Sequence, residues 1–210
     1  MPFIESNLAV FLAIFFYVLI HLFNKFLHKN ARIFILIALV LSILVYFVDV
    51  PLLTELIDSG QLSLALFMLV IVTGILKKKS VFYKRLLLVR GDLAILGFIF
   101  LLPHGLNRLS LALNGYNTSG LFAMIVLLPL TITSFMTIRK KIRPDRWKKL
   151  HKLAYVAYFL IYMHIGFSAF ISKDYYNFQI HTDRILFHLV FIFYFVVKII
   201  QTYQKLKLKK

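Results

Sequence analysis

Seven apolar runs, each near the length that crosses a bilayer, follow one another along the chain with only short polar gaps between them. They cover approximately Leu8 to Leu27, Ile33 to Leu53, Leu62 to Leu76, Leu88 to Leu113, Thr118 to Ile138, Leu150 to Ser172 and Ile185 to Ile200. An α-helix rises 1.5 Å per residue, so about 20 residues span a hydrocarbon core of roughly 30 Å. Several runs reach that length only if Lys or Arg at their ends snorkel to the interface. With 61% hydrophobic and 16% charged residues among 210, and mean hydropathy +0.85, the composition is far from the roughly 45–50% apolar and about 25% charged of a soluble domain. The expected fold is all-α, a polytopic membrane bundle of about seven transmembrane helices with no soluble domain left over. The first run starts at Leu8 behind Glu5 with no basic segment before it, which reads as a retained helix and not a cleaved signal peptide.

The remaining charge is lopsided, 25 Lys+Arg against 8 Asp+Glu, a net +17. Sorted by the gaps between runs, 22 of the 25 basic residues collect on one side, at Lys25 to Arg32, Lys77 to Arg90, Arg139 to Lys152 and Lys198 to Lys210. Only Arg108, Lys173 and Arg184 fall on the other, with Glu5, Asp49, Glu55, Asp58, Asp174 and Asp183. Cytoplasmic loops carry the excess of Lys and Arg, so the N-terminus is expected outside and the C-terminus inside the cell's cytoplasmic (inner) membrane. The basic run Arg139 to Lys149 suits anionic lipids and, as a second use, an acidic flavoprotein; nucleic acid is not an expected partner. The absence of cysteine removes disulfides, iron–sulfur clusters, thiolate zinc and covalently attached haem together. The eight glycines form neither a dinucleotide fingerprint nor a P-loop, so a chain that moves electrons must borrow its flavin or nicotinamide from a partner.

Ionisable groups inside a membrane helix are candidates for function. Here they are almost all histidines: Asp92 and Asp145 lie at the inner edge and the other six acids outside, which leaves no mid-membrane carboxylate for ion coupling. Neutral imidazole costs less to bury and is a strong axial ligand for haem iron. His104 follows Arg90 by 14 residues and His164 follows Leu150 by 14, each on an outward-running helix, so both lie about 21 Å from the inner boundary. Two imidazoles at one depth could clamp a flat macrocycle from both faces. Taken singly, each is as readily a packing histidine, and it is the matched depth that lifts the pair. His151 is 13 residues before His164, about 20 Å along the axis, so those two cannot hold one haem. It could serve a second haem at the inner face, with His21 as a possible partner, or be an interfacial residue beside Trp147. His28, His181 and His188 read as interfacial. Arg108, one turn beyond His104, would suit a haem propionate or serve as a snorkelling anchor. Gly97 and Gly105 leave room for a porphyrin or for another helix.

The stretch Arg146-Trp147-Lys148-Lys149-Leu150-His151-Lys152-Leu153-Ala154-Tyr155, followed by His164, resembles the ferric-reductase-like transmembrane family. Within that family it is most similar to the haem-binding subunit of the methionine-sulfoxide reductase system, of the MsrQ/YedZ type. The resemblance covers residues 61–210, a haem-binding bundle with a basic tail, and leaves residues 1–60 as an N-terminal helix pair outside it. It implies that His104, His164 and His151 ligate b-type haem, one or two in number, and pass electrons across the membrane. Arg90 stands where larger members carry an inner histidine, as it does in the methionine-sulfoxide type, and is a candidate contact for the cofactor. The expected donors are a cytosolic flavin reductase, which would supply FMN or FAD, or a membrane quinol. The expected acceptor is an extracytoplasmic reductase. A direct ferric or cupric reductase component, or a haem-free permease or scaffold, are the alternatives.

Overall fold

The computed structural model describes residues 2–168 and 179–207; the expected outer charges Lys173 and Asp174, and the terminal Lys209 and Lys210, lie outside them. The chain runs through α1 (Pro2–Ser6), α2 (Leu8–Lys29), α3 (Ala31–Phe47), α4 (Pro51–Asp58), α5 (Gln61–Thr73) and α6 (Val81–Asn107). It continues through α7 (Leu109–Leu113), α8 (Ser119–Ile132), α9 (Met136–Arg139), α10 (Pro144–Leu150), α11 (Ala154–Gly166) and α12 (Ile185–Lys207). A two-residue antiparallel ladder pairs Phe167 with Ile180 and Ser168 with Gln179 at the foot of α11.

Among the described residues each of the seven apolar runs contains a helix, but of unequal length, and residues 169–172 of the sixth run lie outside them. Three helical stretches are long and apolar enough to cross a membrane: Leu8–Lys29, Val81–Asn107 and Thr182–Lys207. The second run is broken, α3 and α4 meeting at 105°. Pro51 explains the break: it sits at the first turn of α4, where its missing N–H costs nothing, and the residues before it turn extended. The other three runs give α5, α8 and α11, of 13, 14 and 13 residues. The chain is thus an all-α membrane protein with three such spans, or four with the bent pair counted as one.

Helix α5 is the centre of the bundle. Every residue from Ser63 to Ile71 is buried, on all faces, as expected of a helix that is apolar all round. It lies against α2 and α6, and its position allows it to be short because other helices, not lipid, surround it. Helix α6 passes Pro103 without a break. Proline there removes the N–H that would bond the Ile99 carbonyl, and Ser42 of α3 supplies the replacement, its Oγ donating to Ile99 O at 3.1 Å. Ser63 of α5 likewise donates to Gly97 O at 2.7 Å.

Contacts between helix ends sort the basic segments. Arg85 of α6 donates to the His21 carbonyl of α2, and His28 pairs with Asp92 at 2.7 Å. Lys198 and Gln201 of α12 cap the end of α5 at Gly74 O and Ile75 O. Arg139, Trp147 and His151 gather near Arg90 at this same end. At the opposite end Asn7 binds the carbonyl of Asp183, and its own Oδ1 accepts from Leu186 N, so the start of α2 is latched to the start of α12.

Candidate functional site

At the end away from the basic segments a cavity of about 600 Å³ opens between α2, α5, α6, α8, α11 and α12. Its walls are mainly apolar, with Leu64, Phe67, Leu101, Met124 and Leu127 among them, and its polar groups converge on one place: His104 from α6 and His164 from α11. The two imidazole centres are 6.0 Å apart with ring planes at 79°.

Each ring is seated against a glycine. Gly60 takes φ +79°, a left-handed turn that starts α5, and a Cβ there would stand 3.4 Å from the His104 ring. At Gly120 on α8 a Cβ would come within 2.7 Å of His164 Nδ1 and Cε1. His104 Nδ1 donates to the Asp58 carbonyl at 2.7 Å, which leaves Nε2 as the nitrogen with a free lone pair. His164 Nδ1 is buried and has no hydrogen-bond partner among the described residues. Two arginines stand at the rim. Arg108 reaches the Asp58 carbonyl and both its carboxylate oxygens at 3.1 to 3.3 Å, and Arg184 donates to Ile165 O at 2.6 Å. His181, also in the wall, is held below its ordinary imidazole pKa by burial and then by the Arg184 charge beside it.

The structure therefore brings together His104, His164 and Arg108 of the residues picked from the sequence. His151 and Arg90 stand elsewhere. The His151 ring stacks on Trp147 at 3.9 Å, with the Arg139 guanidinium 4.0 Å above the indole centre. Thr133 Oγ1 donates to Pro129 O, so its lone pairs are free to accept from His151 Nε2 at 3.1 Å. The Arg90 charge lies beside the Tyr158 hydroxyl. His21 packs between Tyr17 and Phe82.

Of the two uses open to Gly97 and Gly105, helix packing is evident at both: a Cβ on Gly97 would meet Phe67 and Leu66 of α5, and one on Gly105, which also lines the cavity, would meet Met124 Sδ at 2.5 Å. Sequence reasoning missed Gly60, Gly120, Asp58 and Arg184 as parts of the site. Arg184 alone carried a signal, as one of three basic residues on the outer side. The cavity also takes Ser6, Asn7, Ala9 and Val10 from the N-terminal helices.

Fold and site define a membrane-embedded helix bundle that presents two facing imidazoles to an apolar cavity. Residues 59–162, just under half of the chain, match the family model described as ferric reductase like transmembrane component, and that segment is similar to this family. The matched segment holds His104, Arg108, Arg90 and His151 and stops two residues short of His164. An uncharacterized protein of Treponema pallidum (strain Nichols) is 28% identical over 183 residues, which cover 76% of this chain and 51% of the relative. The chain thus spans about half the length of that relative. No solved structure matches it.

Proposed function

We propose that the chain is a b-type haem electron-transfer component with seven membrane passages, N-terminus outside and C-terminus inside the cytoplasmic membrane. The observation that carries this reading is the convergence of His104 and His164 on one cavity, ring centres 6.0 Å apart. Metal–imidazole bonds of about 2 Å, with roughly 1 Å more from nitrogen to ring centre, place two axial imidazoles about 6 Å apart. The separation therefore suits a single iron. The donor set points the same way. Among the described residues no group of three or more His, Asp or Glu could hold a bare ion, so a pair of imidazoles needs a ligand that brings its own in-plane nitrogens, as a porphyrin does. The cavity volume lies within the roughly 300–1,000 Å³ of cofactor sites.

Haem bound here would supply one-electron chemistry. His104 and His164 would hold it, and the Asp58 carbonyl keeps His104 in the tautomer that leaves Nε2 free for ligation. Arg108 and Arg184 offer positive charge to its carboxylates at the rim, and the apolar wall excludes water. Electrons arrive at the basic end, from a cytosolic flavoprotein carrying FMN or FAD or from a membrane quinol. They leave for an extracytoplasmic acceptor. His151 and Arg90, at the basic end, sit on the way in. The R-W-x-x-L-H segment supports a methionine-sulfoxide reductase as acceptor, and the family description supports direct reduction of a ferric or cupric chelate.

The test is the visible spectrum of protein purified from haem-replete cells. The expected result is a red protein with about one haem per chain and low-spin bands, its haem extractable into acidified acetone because no cysteine anchors it. A colourless preparation refutes the reading.

A further inference from the structure

The two cavity histidines are not equivalent, and we propose that His164 is the exchangeable one. With haem between them, His104 stays on the iron and His164 gives way to a small neutral diatomic ligand. This rests on the haem reading above.

The asymmetry lies in the ring nitrogens that face away from the metal. An imidazole that binds through Nε2 carries its proton on Nδ1. An acceptor for that proton fixes the tautomer, orients the ring and raises the basicity of the bonding nitrogen. His104 has such an acceptor, the Asp58 carbonyl at 2.7 Å. That carbonyl is itself held in place. Ile57 before it is 1% exposed, and Asn107 and Arg108 bind the Asp58 carboxylate at 2.7 and 3.2 Å.

Among the described residues His164 has no such partner. Its Nδ1 is buried and makes no hydrogen bond to them, and the group facing that edge is the α-carbon of Gly120, too close to admit even a Cβ. Asn117 does not fill the gap. Its amide donates to the His164 backbone carbonyl at 3.4 Å, and its Oδ1 accepts from Ser119. The proton on Nδ1 is therefore unsupported, and Nε2 is the weaker base of the pair. His164 also sits in the last turn of α11, which ends at Gly166 where the chain turns extended at Phe167. One ligand is braced by a backbone carbonyl, and the other is held by packing alone.

The experiment uses the purified, haem-loaded full chain in its ferrous state, with carbon monoxide as the probe. The expected result is conversion of the six-coordinate spectrum to a carbon monoxide adduct. His164→Ala should give the same final spectrum with affinity raised by about tenfold or more, since no imidazole competes. After photolysis of either adduct, the iron–histidine stretch should report a hydrogen-bonded imidazole, the signature of His104. Gly120→Ala, which crowds the Nδ1 edge but keeps the histidine, is the second variant and should raise the affinity as well. A red protein whose ferrous spectrum ignores saturating carbon monoxide overturns the proposal and leaves the haem reading standing. So does a set of variants in which His104→Ala, and not His164→Ala, reproduces the parent adduct. A colourless protein overturns both.

Discussion

The two ends of the bundle each hold a histidine, an arginine and an aromatic or apolar wall, yet they are built to opposite effect. At the basic end the Arg139 guanidinium, the Trp147 indole and the His151 imidazole form one stack, and His151 Nε2 is engaged by Thr133. One ring face and the nitrogen most often used for ligation are both committed. At the other end His104 anchors one nitrogen to a backbone carbonyl and presents the other to open volume, opposite a second imidazole. The contrast lies in access: at one end a ring nitrogen has open volume in front of it, and at the other it is taken up by a hydroxyl.

The sharpest way to break this contrast is to remove one histidine at each end. His104→Ala should lose essentially all bound haem, while His151→Ala should leave the haem content and spectrum of the outer site unchanged; absorbance per mole of protein measures both. Equal loss in the two variants would mean that the inner histidine is a ligand after all. A smaller effect is expected from Gly60→Ala. Its φ of +79° is strained for any side chain and the His104 ring lies 3.4 Å from the added methyl, so the variant should be less stable by about 1–2 kcal/mol. A thermal melt in detergent reads this, and an unchanged midpoint would show that the turn tolerates a Cβ. The smallest effect belongs to Thr133→Val, which removes the acceptor for His151 and should cost about 1 kcal/mol of stability with no change in the haem bands. A spectral change in that variant would join the two ends energetically.

Much of the plan was legible in residue order. Each of the seven apolar runs contributes a helix among the described residues, and equal spacing from the inner boundary singles out His104 and His164. Other features depend on which neighbour a residue meets, and that is a property of packing, not of position along the chain. Gly97 shares the face of His104 by helical arithmetic and Gly105 follows it directly, but they meet Phe67 and Met124, while Gly60 and Gly120, on other elements, meet the imidazoles. The Asp58 carbonyl is a backbone atom, so nothing in the side-chain sequence marks it. The 105° break between α3 and α4 had a visible cause in Pro51, but its size follows from how α4 lies against α5 and α6. The shortness of α5 was hidden for the same reason. A length rule made for helices in lipid does not bind one that touches mostly protein.

The latch between Asn7 and the Asp183–Leu186 turn has a consequence for the order of assembly. The cavity takes Asn7 and Val10 from one extreme of the described chain and Arg184 and Phe187 from the other. During synthesis the chain as far as Phe187 must therefore be made before the last wall exists. Until then the imidazole of His104 faces a half-built chamber. Anything the chamber retains has to be captured after α12 has come into place, so seating of that helix is the step that decides when capture can begin.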